Sequence, residues 1–227
     1  MSYYQGVKDI WLRDVKYGDN HNKRTHAVSR ITIHCVGGYW GTLRSFKSCI
    51  SNKSYKASWT YGVAGNGDVG YYLSESVRPW TSSNYRNDDR AITMEVSCEG
   101  SHPYKVTDEA LAAVVDLCED ICVRHNIRGL FYTGDIRTSN LTLHRWFSNK
   151  ACPGNYLVSK MEYIAETVNN RLRLKHGMSL MGSYRDPVTD YGEHFRPSVA
   201  YKGGANPTGT SPGKLISIAA KEIGYIG

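Results

Sequence analysis

Apolar and polar positions alternate with a period of two in several stretches of this chain. From Ser29 to Cys35, Ile31 and Ile33 take one face of a predicted strand, and Thr32 and His34 take the other. From Arg90 to Cys98, Ile92, Met94 and Val96 alternate with Thr93 and Glu95. LTLHR, Leu141 to Arg145, is a further strand candidate. In WTYGVAGNGDVGYYL, two strand-like runs flank Gly65-Asn66-Gly67-Asp68, which is hairpin chemistry because Asn and Gly accept positive φ. Elsewhere the period lengthens to that of a helix. Leu43, Phe46 and Ile50 are spaced for one. Leu111, Val114, Val115, Cys118, Ile121 and Cys122 make an apolar stripe on a predicted helix from Thr107 to His125, with Thr107 as N-cap and Asp108 and Glu109 in the first turn. A last helix is predicted from Tyr156 to Leu174, burying Leu157, Met161, Ile164, Val168 and Leu172.

Strands separated by helices, with one hairpin, predict an α/β fold with a central mixed β-sheet flanked by helices, over residues 1–176. The polar segment before Ser29 is expected to be anchored by Tyr3, Tyr4, Ile10, Trp11 and Leu12. After His176, Gly and Pro cluster and no period is visible, so 177–213 reads as a linker. Residues 214–227 begin an amphipathic helix, which either docks on the first domain or opens a second, truncated one.

Composition narrows the class. Hydrophobic residues make up 41% and charged residues 22%, a globular balance that excludes disorder for most of the chain. No stretch approaches the roughly 20 apolar residues of a membrane helix, so no membrane insertion is expected. The N-terminal segment lacks the pattern of a secretory signal, which implies synthesis in the cytoplasm and another route to any external target. A formal charge of +7 and a pI of about 9.0 favour anionic partners. The basic residues are scattered, so no nucleic acid is expected. With no export signal and no dense spacing, the six cysteines read as reduced thiols.

The chemistry-bearing residues begin with HRWFSNKACPG. His144 at a strand end and Cys152 in the following loop are donors of the kind that Zn²⁺ takes in tetrahedral geometry. Pro153-Gly154 fixes a turn beside the thiol. His34 ends its strand just before Gly37-Gly38 and is the candidate third ligand. Three protein ligands leave a position open, as catalytic zinc sites do. The same residues also read as two polar strand-end histidines and one buried Cys.

ITIHCVGG, WTYGVAGNGDV, RAITMEV and LTLHRWFSNKACPG together resemble, in order, the N-acetylmuramoyl-L-alanine amidase type 2 family over residues 29–172. That family includes phage endolysin amidases and the peptidoglycan-recognition proteins. The resemblance implies a zinc site of His34, His144 and Cys152. It also implies hydrolysis of the amide joining the lactyl group of N-acetylmuramic acid to L-alanine in peptidoglycan. Glu95 matches the acid that many endolysin members hold near zinc, where a carboxylate can take a proton from water and pass it to the leaving amine; otherwise it is a solvent-exposed strand Glu. Lys150 matches a lysine that in part of the family helps stabilise the oxyanion; otherwise it is a solvated loop residue. Members that use this Lys place a Tyr where Trp59 stands here, with Tyr61 two positions later on the same face. Trp59 has no hydroxyl, which moves weight to Glu95 and leaves Trp59 to stack on sugar or peptide. Trp80 lines the groove or anchors a loop, and Thr81 and Ser82 are candidate hydrogen-bond partners of the stem peptide.

A lytic enzyme without a signal fits a phage endolysin that acts on the wall after the membrane is permeabilised. Some relatives bind peptidoglycan without cutting it. They typically lack the Cys-type ligand, so the enzyme is favoured over a binding module. Anionic wall polymers are a further expected partner. GKLISIAAKEIGY resembles the opening helix of a cysteine-peptidase-type wall hydrolase.

Overall fold

The computed structural model describes residues 3–12, 22–36, 42–52 and 56–192. In chain order the elements are β1 (Val7–Ile10), β2 (Asn22–Lys23), β3 (Arg30–Cys35), α1 (Leu43–Ser51), β4 (Tyr61–Val63), β5 (Val69–Tyr71), β6 (Val77–Arg78), α2 (Tyr85–Asp88), β7 (Ala91–Val96), α3 (Asp108–Arg124), β8 (Leu141–Leu143) and α4 (Asn155–His176). Six strands form one sheet in the order β1-β5-β4-β7-β3-β8. The β4–β5 hairpin is antiparallel and every other pair is parallel, so the sheet is mixed. β2 and β6 pair separately.

The alternation read in the sequence sets the two faces of the sheet. Thr32 lies opposite Thr93 and Thr142, and His34 lies opposite Glu95, so these polar side chains share one face. Ile31, Ile33, Ile92, Met94, Leu141 and Leu143 point to the other face. There they are buried to within 1% under the apolar stripes of α3 and α4. Each such side chain contributes roughly 1.5–3 kcal/mol by leaving water. Thr107 caps α3, its hydroxyl accepting from the Ala110 N–H at 3.1 Å. The hairpin closes through Gly67 at φ +83, whose N–H donates to the Ala64 carbonyl at 3.0 Å.

The polar face is covered by other pieces. α1 packs Phe46, Cys49 and Ile50 on Trp59 and Tyr72. This approach requires Gly62, where a Cβ would meet the Tyr72 ring at 2.8 Å and Phe46 at 3.0 Å. At the β3 and β7 entry, Asn87 of α2 donates to the Thr32 hydroxyl at 2.9 Å, and Thr32 meets the Thr142 hydroxyl at 2.8 Å. A polar strand face can be buried only with its hydroxyls paired in this way.

Three expectations need correction. Ile10 and Leu12 are not anchors, being 52% and 41% exposed. β1 is an edge strand whose alternate positions face water, and Tyr3, Tyr4 and Trp11 do the packing. The strand read from Leu141 to Arg145 stops at Leu143, and His144–Trp146 turns into a 3₁₀ helix. That turn brings the Arg145 N–H to the Cys152 carbonyl at 3.1 Å. The domain also does not stop at residue 176. Met178, Leu180, Val188 and Tyr191 pack on the core, and Asp186 is 7% exposed beside Arg30, so 178–192 is a docked strap and not a linker. Residues 193–213 of the expected linker, and 214–227, lie outside the described residues.

A second buried charge sits away from the polar face. Glu75 is 6% exposed and accepts from Arg124 Nη1 at 2.6 Å, Arg124 Nη2 at 2.8 Å and the Tyr61 hydroxyl at 2.6 Å, with His125 Nε2 at 2.7 Å. Burial pushes its carboxyl up, but the bonds to His125, Arg124 and Tyr61 outweigh it and hold the group down at about 2. The folded-state value thus lies below the unfolded one of about 4.3, so the stabilisation is present above pH ~4.3 and is lost as pH falls towards 2. The shift corresponds to about 3 kcal/mol. Glu75→Gln is expected to flatten urea-measured stability between pH 5 and pH 2; an unchanged slope contradicts this.

Candidate metal centre

Three donors from two distant stretches of the chain meet at the C-terminal ends of β3 and β8. His34 is the fifth residue of β3, His144 follows β8, and Cys152 closes the next loop. Their ligand atoms all lie within 4.8 Å of one another. The two Nδ1 atoms are 3.2 Å apart, and Cys152 Sγ is 3.5 Å from His34 Nδ1. A tetrahedral ion with Zn–N of about 2.0 Å and Zn–S of about 2.3 Å sets ligand–ligand edges of about 3.3 and 3.5 Å, which the two separations from His34 Nδ1 match.

The loop that carries Cys152 is held tightly. Arg145 donates through Nη2 to the Ala151 carbonyl at 2.6 Å and through Nη1 to Asn155 Oδ1 at 3.0 Å. Trp146 stacks on Tyr132 at 5.8 Å, and Phe147 packs on Tyr191 of the strap at 5.5 Å. The Cys152–Pro153 bond is cis. Gly154 has φ +87, and a Cβ there would meet Tyr104 Cβ at 2.6 Å and the Pro103 carbonyl at 2.9 Å. No other residue type fits that turn.

The electrostatics suit a cation. Burial, and then the charge of Lys150, hold the His144 imidazole down at about 3. Burial and His144 keep His34 well below its ordinary value. Both rings are therefore neutral at pH 7, the form in which imidazole ligates metal. Burial raises the Cys152 thiol, against lowering by hydrogen bonding with Cys35. Such a thiol becomes a thiolate beside a bound cation. The site is fully buried at His34 and His144, and Cys152 is 2% exposed.

Glu95 joins this group. It is 0% exposed, and its Oε1 lies 4.0 Å from His34 Nδ1. The alternative of an exposed strand Glu is thereby corrected, because this end of the polar face is buried. Lys150 is half-buried in the ligand loop, and its charge bears on His144.

The residues expected to touch substrate fare differently. Tyr61 lies opposite Met94 in the register and therefore on the α3 side of the sheet, fully buried with its hydroxyl on Glu75. That removes it from the metal face. Trp59 is 2% exposed in the α1 cluster, whereas Tyr61 belongs to the main core, so the two do not share a face. β4 begins only at Tyr61, and Trp59 precedes its regular alternation. Thr81 is fully buried, and its hydroxyl donates to the Ser58 carbonyl at 2.6 Å and meets the Thr93 hydroxyl at 2.9 Å. Ser82 donates to Asp88 Oδ1 at 2.6 Å. Both hydroxyls are thus already engaged within the protein. Trp80 is half-buried and lines a cavity.

Sequence reasoning missed Arg145, Asn87 and Tyr191. For Arg145 there was a signal, since a basic residue directly after a ligand histidine must either be solvated or find carbonyls. Nothing marked the other two.

A family model described as N-acetylmuramoyl-L-alanine amidase matches residues 24–155. No curated protein sequence matches the chain. Among solved structures, a mutant endolysin from Bacillus subtilis is similar, with a TM-score of 0.54 at 17% identity over 70% of this chain and 98% of that one. Hydrolase AmiA of Staphylococcus aureus, solved in complex with its ligand, gives 0.55 at 15% over 75% and 86%. PlyL gives 0.53 at 15% over 74% and 97%. At such identities these likenesses concern the fold, a mixed six-stranded sheet flanked by helices. The family match spans more than half of the 227 residues and contains His34, Glu95, His144 and Cys152. This chain belongs to the N-acetylmuramoyl-L-alanine amidase family.

Proposed function

We propose that the protein hydrolyses the amide between N-acetylmuramic acid and L-alanine in bacterial peptidoglycan, as an endolysin. The observation that carries this is the convergence of His34, His144 and Cys152 in one buried cluster with Glu95 beside it. The family match and the endolysin folds among its structural neighbours support the substrate class. These three residues would hold Zn²⁺. When bound, the ion supplies a Lewis acid and lowers the pKa of water at its open position.

The chain's own groups do the rest. The Glu95 carboxylate takes a proton from the attacking water and returns it to the leaving alanine nitrogen. Its burial keeps bulk water from competing for that proton. Lys150 brings a positive charge against the oxyanion that forms on the scissile carbonyl, a device that acts strongly where water is excluded. Arg145 and Phe147 keep the Cys152 loop in place, so the thiolate does not have to be ordered during turnover.

Glu95→Gln is expected to keep its zinc and to lose about 10²–10⁴-fold in rate. The readout is new N-terminal alanine released from purified wall. Full activity in this variant rules out the proton-transfer role. A wild-type protein that binds wall but releases no alanine is instead a binding module. We further propose synthesis in the cytoplasm and action on the wall once the membrane is breached. Among the described residues, no helix is long and apolar enough to cross a membrane. The catalytic unit on this proposal includes the strap that carries Asp186 and Tyr191.

A further inference from the structure

The two histidine donors are held by different means. His34 lies within the sheet, in register with Glu95 of β7. β8 is the edge strand, and its register with β3 ends where Leu143 lies opposite Ile33. His144 follows that ladder as the first residue of a 3₁₀ turn, so the turn sets the direction of its ring. There the Phe147 N–H donates to the His144 carbonyl at 2.8 Å, and the Ser148 N–H donates to the same oxygen at 3.3 Å. A single 3₁₀ turn has few bonds of its own and poor hydrogen-bond geometry, so packing must hold its shape.

The strap supplies that packing. The Tyr191 ring lies 5.5 Å from the Phe147 ring and is tilted at 54° to it, and both side chains are buried. Tyr191 is itself fixed from several directions. Its hydroxyl accepts from Arg30 Nη1 and donates to Asp186. The Arg30 guanidinium stands over its ring at 5.8 Å. Its carbonyl accepts from Asn84 Nδ2 at 2.8 Å. Arg30 opens β3, the strand that carries His34, and the alternation puts both side chains on one face. Tyr191 thus ties the strand of one histidine donor to the turn of the other. The strap lies outside residues 24–155, the span of the family match.

Resting on the zinc reading, we propose that Tyr191 is a positioning residue for the metal centre: its ring holds Phe147, and through Phe147 the turn that aims the His144 imidazole. The hydroxyl serves a different end, which is to dock the strap on Arg30 and Asp186. A donor that is already aimed needs no ordering when the ion binds, so loss of the clamp is felt as weaker metal affinity.

The test is competition for zinc between the full chain and a chromophoric chelator, under conditions where each variant is folded by circular dichroism. Tyr191→Ala is expected to weaken zinc binding about 10–100-fold, as loss of a group that orients a ligand does. Tyr191→Phe keeps the ring and is expected to bind zinc as wild type does, although it loses the bonds to Arg30 and Asp186 and melts at a lower temperature. Val114→Ala opens a cavity in the apolar stripe of α3 and is expected to lower the melting temperature without moving zinc affinity. Phe147→Leu is expected to weaken zinc binding too. Adding Tyr191→Ala to it then costs much less than Tyr191→Ala costs alone, because both changes break one contact. The role of Tyr191 is overturned if Tyr191→Ala binds zinc as wild type does, if Tyr191→Phe or Val114→Ala loses as much, or if the effects of Tyr191→Ala and Phe147→Leu simply multiply. Tyr191→Leu carries the test if Tyr191→Ala does not fold. Hydrogen exchange at the Phe147 and Ser148 amides is measured alongside on the zinc-free chain. Tyr191→Ala is expected to speed it, and an unchanged rate overturns the clamp. Wild type that takes up no zinc refutes the zinc reading itself, and the exchange rates then decide separately whether Tyr191 holds the turn.

Discussion

Cys152→Ser is expected to remove both metal and activity while leaving the fold in place. Serine keeps the size of the side chain but offers a hydroxyl that stays protonated at neutral pH, so the third donor is lost. Changing a residue that merely supports a zinc ligand costs about 10–100-fold in affinity, so losing a ligand costs more than roughly 100-fold. His34→Ala and His144→Ala act in the same direction and add a cavity in a buried site. The comparison that isolates the metal role is Cys122→Ala, in the apolar stripe of α3. This variant is expected to retain one zinc per chain and full wall hydrolysis. Elemental analysis and alanine release on the same preparations decide the matter. Equal zinc in Cys152→Ser and wild type contradicts the assignment.

Asp186→Ala is expected to be the most destabilising single change outside the metal site. Arg30 and Asp186 have side chains with 0% exposure, and Arg30 Nη2 lies 2.6 Å from Asp186 Oδ1. Tyr184 receives a further bond from Arg30 at 3.3 Å, and the Tyr191 hydroxyl bonds to both members of the pair. Removing one partner of such a buried pair leaves a charge without compensation, a loss of about 3–5 kcal/mol. Arg30→Met combined with Asp186→Leu removes both charges and is expected to recover most of that loss. Chain ended after Gly177 is expected to behave like Asp186→Ala, because the strap supplies the counter-charge. Urea midpoints measure all of these. A shift of less than about 1 kcal/mol for Asp186→Ala, the range of a surface pair, contradicts the account of the strap. The effect reaches the metal loop as well, since Tyr191 packs on Phe147.

What could be read in the sequence was governed by range. The strands of residues 30–35 and 91–96, the hairpin at Gly67, the Thr107 cap and the helices α3 and α4 are local patterns, and each appears in the structure at or near its expected bounds. The faces of β3 and β7 followed from period two, and they put His34 and Glu95 on the same side. Period two failed at Trp59 and Tyr61, because the regular strand starts at Tyr61 and the alternation does not extend back across it. The strap had no readable period, since an extended Gly- and Pro-bearing segment docks through isolated side chains. Its key pair, Arg30 with Asp186, is separated by 156 residues. The three candidate donors come from two distant stretches of the chain, but each sits beside a strand end or a Pro-Gly turn, and those local marks put them among the candidates.

The central claim is that two imidazoles and one thiolate hold a single ion. X-ray absorption at the zinc edge, on the full chain purified without chelator, reads that shell directly. The expected spectrum has two nitrogen scatterers at about 2.0 Å and one sulfur at about 2.3 Å, with a light oxygen atom completing the shell. A shell without sulfur, a shell with more than one sulfur, or protein that takes up no zinc contradicts it.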